Sequence, residues 1–236
     1  IASCYLIRFA TANKMKVKMR KIHVGLLLSF VIFGACTSLN PVTEVKLEGL
    51  AQGTYYTVTY YDKNGTNHQA SIDSFFKAFD LSASVYLKES IISRLNNNDS
   101  TAVADEAFTV VFNRAMEVSE KTDGAFDITI MPLVNAWGFG PDPEGPPPDD
   151  AAIATLRERV GWRMVSVDAE NRLTKARPDI YCDLSAVAKG YAVDKAGEAL
   201  EGLGVENYMV EVGGEVRARG RGPRGGPWRI GVEKPV

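Results

Sequence analysis

Two short runs, NYMVEV at 207–212 and EVRARG at 215–220, are separated only by Gly213 and Gly214. A two-residue connection is too short for a crossover, so runs joined in this way must pair antiparallel. The pattern recurs along the chain. MVSVDAENRLTKA predicts a hairpin turning at 168–171, and GTYYTVTYYD predicts a strand over 54–61 that runs into the hairpin-type turn DKNG. Helical spacing lies between these runs. Ile72, Phe75, Phe76, Phe79, Ala83 and Tyr86 mark one amphipathic helix, and Phe108, Val111, Phe112, Ala115 and Ser119 mark a second, with Gly124 as its C′ residue. A short helix through Ile153, Leu156 and Val160 is capped by Asp149 or Asp150 and stopped by Gly161. PDIYCD reads as a strand leading into a helix over LSAVAKGYAVDKAGEALEGLG, whose narrow face carries Ala186, Gly190 and Ala196. PWRIGVEKP reads as the start of one more strand. Hairpin-linked strands mixed with several helices predict an α+β fold of mostly antiparallel strands and exclude a doubly wound parallel sheet.

The first residues read as targeting rather than fold. From Met19, MRKIHVGLLLSFVIFGAC has a basic start, a short apolar run and a small pair before Cys36, the layout of a secretory signal too short for an ordinary membrane span. A cysteine directly after that small pair predicts lipidation at Cys36. The chain thus divides into an upstream extension at 1–18, a lipoprotein signal at 19–35, a polar tether at 36–45 and a single domain at 46–236. Cys4 lies upstream of the start, which leaves Cys182 alone in the domain, and one cysteine cannot form an internal disulfide. Its context predicts a buried small hydrophobe rather than a nucleophile. The sequence stops at Val236, just past a strand and a Lys-Pro pair, which suggests that the C-terminal part of the sheet is missing.

Several chemistries are excluded or weakened. A formal net charge of −2 gives no global attraction to nucleic acid. The arginines at 217, 219, 221, 224 and 229 accompany no nucleic-acid module and read as a solvated, protected sheet edge. GRGPRG at 220–225 matches G-x-G-x-x-G, but Pro223 interrupts it and a strand rather than a helix follows, so no dinucleotide site is expected there. His23 and His68 are the only histidines, so zinc chemistry lacks ligands and any metal would be held by oxygen, as Mg²⁺ or Ca²⁺ are.

Two segments carry chemistry. KTDGAFDITIMPLVNAWGFGP at 121–141 places Asp123 and Asp127 among small and apolar residues, which suits a cleft wall better than a core strand or a solvent loop. DLSAVAKGYAVD at 183–194 puts Asp183 where a strand becomes a helix, with Asp183 or Ser185 available to cap free N–H groups. By itself the second segment also reads as a capped helix with an incidental lysine and a small packing face.

Taken together, these two segments and VEVGGEVRARG resemble the ApbE family, the FAD:protein FMN transferases. LSASVYLKESIISRLNN resembles the family's Ser-Tyr-rich segment and the S-x-[IL]-x-x-[LF]-N turn that follows it. The resemblance spans 46–236, in the family's order. It implies an ApbE-like fold and Mg²⁺-dependent transfer of FMN from FAD to a Thr or Ser hydroxyl of a target protein, with release of AMP. Ala125, Phe126, Asp127, Asp183 and Lys189 would line the FAD site, with Lys189 pairing to phosphate or to an acidic neighbour. Tyr86 would stack on a ring of FAD. Gln52 stands where many members carry Met, and Ala186 falls at a metal-ligand position where it has only a backbone carbonyl to offer. The family's C-terminal metal-binding motif does not occur before Val236. The implied partners are acceptor flavoproteins of envelope electron-transfer complexes and the membrane, and the implied location is the bacterial envelope, lipid-anchored and facing the periplasm. An FAD pyrophosphatase yielding FMN and AMP and a non-catalytic FAD-binding lipoprotein are the alternatives.

Overall fold

The computed structural model describes residues 42–140 and 145–232. The expected upstream extension, signal and Cys36 lie outside the described residues. Strands β1 (Thr43–Ala51) and β2 (Thr54–Asp62) form an antiparallel hairpin. Its Gln52-Gly53 turn has both φ angles positive, at 56° and 71°, the geometry whose twist matches that of the flanking strands. The start of β1 at Thr43 moves the boundary of the folded unit three residues into the expected tether, because Thr43, Glu44 and Val45 pair with Asp62, Tyr61 and Tyr60.

Four helices follow: α1 (Gln69–Ala83), α2 (Ile91–Asn96), α3 (Glu106–Lys121) and α4 (Met131–Ala136). Helix α5 (Asp150–Arg157) then leads through a 3₁₀ turn at Trp162–Met164 into the short hairpin β3 (Val165–Val167) and β4 (Leu173–Lys175). Helix α6 (Ser185–Gly202) precedes the hairpin of β5 (Tyr208–Val212) and β6 (Glu215–Arg219). The main sheet has the order β1-β2-β5-β6 and is antiparallel throughout, so the fold is α+β. The turn after β2 leads into α1 rather than into a partner strand. There Asp62 Oδ2 accepts from the N–H groups of Asn64 and Thr66, and the hairpin partner of β2 lies upstream of it.

The core lies between one face of the sheet and helices α1, α3 and α6. Leu47, Tyr56, Val58, Tyr60, Tyr208, Val210 and Val212 supply the sheet side, and Ile72, Phe76, Phe108, Val111, Phe112, Ala192, Ala196 and Leu200 supply the helix side. All five positions expected to face inward on α3 are buried. That helix begins at Asp105, whose Oδ1 accepts from Phe108 N–H at 2.7 Å and from Ser82 Oγ at 2.8 Å, tying α3 to α1. It ends in a Schellman motif: Gly124 N–H reaches Ser119 O and Asp123 N–H reaches Glu120 O. Asp123, at φ 48°, is therefore the C′ residue, one position ahead of the expected Gly124, and it lies outside the clefts described below.

Four further expectations change. Tyr86 falls beyond the end of α1 and is exposed. The buried face of α6 is Ala188, Ala192, Val193, Ala196, Gly197 and Leu200, so only Ala196 of the three expected residues packs inward. Segments 177–184 and 226–232 are not strands. In the first, the partner of the buried backbone is a side chain rather than a neighbouring strand: Asn96 Nδ2 donates to Cys182 O and Asn96 Oδ1 accepts from Cys182 N–H, both at 2.8 Å. Arg217, expected on a solvated edge, instead reaches Asp194, Glu201 and the Tyr208 hydroxyl and ties the edge strand β6 to α6.

Phe108 is fully buried and stacks near Phe112 where α3 meets the core. Phe108→Ala is expected to cost about 3–5 kcal/mol, read as a lowered midpoint in urea unfolding with little change in slope.

Candidate functional site

The N-terminal turns of α6 stand between two clefts. The larger, of about 470 Å³, is lined by residues 124–128, Ile130, Leu133, Arg157, Val160, Asp183 and Ala186. The smaller, of about 200 Å³, is lined by Gln52, Thr54, Ala83, Ser84, Tyr86, Ser185, Ala188 and Lys189. Residues 185, 188 and 189 share one helix face while 186 lies off it, so a single helix start contributes to both spaces.

The wall of the large cleft is built around Asp127. Its Oδ1 accepts from the N–H and hydroxyl of Thr129 at 2.8 and 2.6 Å, and its Oδ2 accepts from Trp162 N–H at 2.8 Å. Thr129 Oγ1 accepts in turn from Gly161 N–H at 2.7 Å. Asp127 therefore staples 124–130 to the 161–162 turn, with lone pairs left over for a ligand. Buried Ile128 and Met131 hold the segment to the protein, while Ile130, Trp137 and Phe139 remain exposed.

Asp183 enters the same cleft from the other side. Its N–H donates to Ile128 O at 2.8 Å, and its Oδ1 accepts from the N–H and hydroxyl of Ser185 at 2.9 and 2.6 Å. No hydrogen bond reaches Oδ2 among the described residues. Ala186 N–H, in the first turn of α6, also has no partner among them, and it sits at the positive end of an 18-residue helix. Arg157, at the end of α5, adds an exposed guanidinium that no carboxylate engages among the described residues. Sequence reasoning passed over this arginine, because an Arg in a polar helical stretch is an ordinary surface residue until the fold turns it toward a cleft.

In the small cleft, the Gln52 backbone N–H and Nε2 both donate to Asp80 Oδ1, at 3.2 and 2.6 Å. Burial raises the Asp80 carboxyl above its ordinary range, and the Gln52 bonds oppose that shift. The Gln52 amide is thus committed to holding its own strained turn. Lys189 Nζ pairs with Glu215 Oε2 at 3.1 Å and donates to Gly213 O at 3.3 Å, so its partner is an acidic neighbour. Tyr86 is 64% exposed at the rim of this cleft. The structure therefore brings Ala125, Phe126, Asp127, Asp183 and Ala186 together in one cleft and Gln52, Tyr86 and Lys189 in the other.

An oxygen-ligated metal finds only part of a site here. Asp183 offers an unengaged carboxylate oxygen, whereas Mg²⁺ takes six oxygens in near-octahedral array. Among the described residues no group of three or more His, Cys, Asp or Glu side chains could hold a metal ion, and the Ala186 carbonyl belongs to the first helical turn. These residues fit one edge of such a site.

The ApbE family model matches residues 52–236. A FAD:protein FMN transferase of Vibrio cholerae is 38% identical over 218 residues, covering 89% of this chain and 64% of that protein. One of Haemophilus influenzae is 35% identical over 231 residues, covering 92% of this chain and 66% of its own length. The chain thus spans just under two thirds of these relatives. The solved flavin transferase ApbE from Vibrio cholerae superposes with a TM-score of 0.76 at 37% identity, over 83% of this chain and 65% of that one. The apo flavinyl transferase ApbE of Pseudomonas stutzeri gives 0.71 at 32% identity, over 81% and 66%.

Cys182 lies behind Asp183, fully buried, and burial pushes its thiol up to about 12. The thiolate is the reactive form, so the folded protein is expected to leave Cys182 unmodified by iodoacetamide at pH 8 and to expose it on unfolding. Peptide mass spectrometry checks this, and rapid native alkylation at residue 182 would contradict the buried role.

Proposed function

The chain belongs to the ApbE family, and from that premise we propose that the large cleft takes the pyrophosphate of FAD and serves transfer of FMN to a Thr or Ser hydroxyl of an acceptor protein. In the reaction the acceptor oxygen bonds to the phosphorus on the flavin side. The P–O–P link breaks, AMP departs with the bridging oxygen, and the hydroxyl proton is released. The observation that carries this reading is that one cleft is lined by Asp183, Arg157 and Ala186, whose Oδ2, guanidinium and helix-start N–H have no partner among the described residues. A guanidinium and a helix N-terminus both favour a diphosphate. Tyr86, at the rim of the smaller cleft, supplies a ring face for one of the two aromatic ends of FAD.

Mg²⁺ belongs to the proposal as the counter-charge that lowers repulsion between the diphosphate and the incoming oxygen. Asp183 Oδ2 is the described atom best placed to meet it. Location at the bacterial envelope through a lipid on Cys36, and acceptors among envelope electron-transfer flavoproteins, complete the proposal. The support for the location is the signal layout around Cys36, and that for a protein acceptor is the similarity to FAD:protein FMN transferases.

Product analysis of the full gene product with FAD, Mg²⁺ and a Thr-containing acceptor tests the reaction. Covalent flavin on the acceptor supports transfer, free FMN with AMP supports a pyrophosphatase, and unchanged FAD supports a binding protein. Asp183→Asn is expected to abolish transfer with far-UV circular dichroism unchanged, and a wild-type rate in that variant would remove Asp183 from the site. Arg157→Ala is expected to weaken FAD binding about ten-fold, the size of one charge-assisted hydrogen bond, while leaving riboflavin binding unchanged. Equal losses for both ligands in fluorescence titration would place the arginine away from the phosphates.

A further inference from the structure

The segment that delivers Asp183 to the cleft has no strand beside it, yet Ile180, Cys182 and Leu184 in it are buried. Asn96, 6% exposed at the end of α2, makes both of its hydrogen bonds to the one peptide residue that precedes Asp183. Lys175, on β4, reaches the same segment from the other direction. Its Nζ donates to Pro178 O at 3.2 Å, Ile180 O at 3.1 Å and Asn96 O at 2.8 Å. Asn98 Nδ2 adds a bond to Pro178 O at 3.0 Å. The ammonium therefore links the end of α2, through the Asn96 carbonyl, to the same stretch that the Asn96 side chain grips.

We propose that Asn96 and Lys175 form a polar brace that sets the position of the Asp183 carboxylate, making both of them positioning residues for the flavin-nucleotide site. The proposal rests on the functional reading above. An isolated buried amide could be accounted for by stability alone. Here the amide closes on Cys182, the next residue donates its own N–H to Ile128 O in the opposite cleft wall, and α6 starts two residues later. Between the brace and Ile128 there is only one residue, so a shift at Cys182 passes directly to Asp183. The other wall is fixed independently by Asp127 and its bonds to Thr129 and Trp162. Loosening the brace changes the span between the walls without dismantling the second one. Displacements on the order of 1 Å at such a group are large enough to matter to a bound substrate.

Asn96→Asp keeps the side-chain shape and the acceptor for Cys182 N–H but sets an oxygen against Cys182 O. Lys175→Met keeps length and removes all three donor bonds from a less central position, so it serves if the first variant fails to fold. FAD affinity is measured by fluorescence titration in wild type, in Asn96→Asp or Lys175→Met, in Asp183→Asn and in the double variants, well below each melting temperature. Each single change is expected to weaken FAD binding about ten-fold. The double variants are expected to bind no more weakly than Asp183→Asn alone, because the brace acts through that carboxylate. A purely structural role would lower affinity equally in the presence and absence of the Asp183 carboxylate, and additive losses of that kind would overturn the proposal. Wild-type affinity in both folded brace variants would overturn it as well. Failure of the wild-type protein to bind FAD would sink the functional reading and the brace with it, a result distinct from normal wild-type binding with additive losses.

Discussion

A buried backbone must find hydrogen-bond partners, and at buried Cys182 the peptide groups find them in a side chain. The Asn96 carboxamide copies a strand's peptide group, giving one donor and one acceptor to Cys182. Asp183, the next residue, and the start of α6 two residues beyond it follow directly on that anchor. Had a strand lain beside this segment, ladder hydrogen bonds would have continued to either side and held its next residues as well. The Asn96 amide satisfies one residue and stops, and at Asp183 the chain turns to pair with Ile128 O before the helix starts at Ser185.

Local periodicity explains why so much of the architecture was legible in the sequence. Helix α3 reports itself because Phe108, Val111, Phe112, Ala115 and Ser119 fall on one face and pack against one core. The hairpin of β5 and β6 reports itself because Gly213 and Gly214, at φ 52° and 96°, allow only a tight reversal. The misreadings come from positions where a distant partner decides. PDIYCD has strand-like composition, but its partner is Asn96, 86 positions away from Cys182. The small residues of α6 are ambiguous on helical spacing alone, and the buried small residues proved to be 188, 192, 196 and 197, where α1 and the sheet close on the helix.

The candidate site was legible as two segments and less so as roles. Asp127 and Asp183 do share a cleft, but most of Asp127's engagement is with Thr129 and Trp162, so its first task is to build the wall. Gln52 and Lys189 are likewise committed to Asp80 and Glu215, partners that no local pattern announces. Arg157 shows the converse: a residue with no sequence signal acquires one when helix α5 packs near α4.

These commitments divide labour in a way that suits a charged ligand. Under the proposed function, a carboxylate that both organises backbone and meets the ligand must hold its geometry through binding, so its structural bonds have to be made first. Asp127 meets that condition with three bonds, and Asp183 meets it with one oxygen on Ser185 and its N–H on Ile128. Among the described residues of the cleft, Asp183 Oδ2, Ala186 N–H and the Arg157 guanidinium remain without a partner. One anionic acceptor and two donors, held on rigid elements around a common space, can engage a diphosphate and its counter-cation together. The same groups scattered on a surface would be screened by solvent and contribute little. The strength of the site therefore depends on how firmly its supports keep those few groups facing one another.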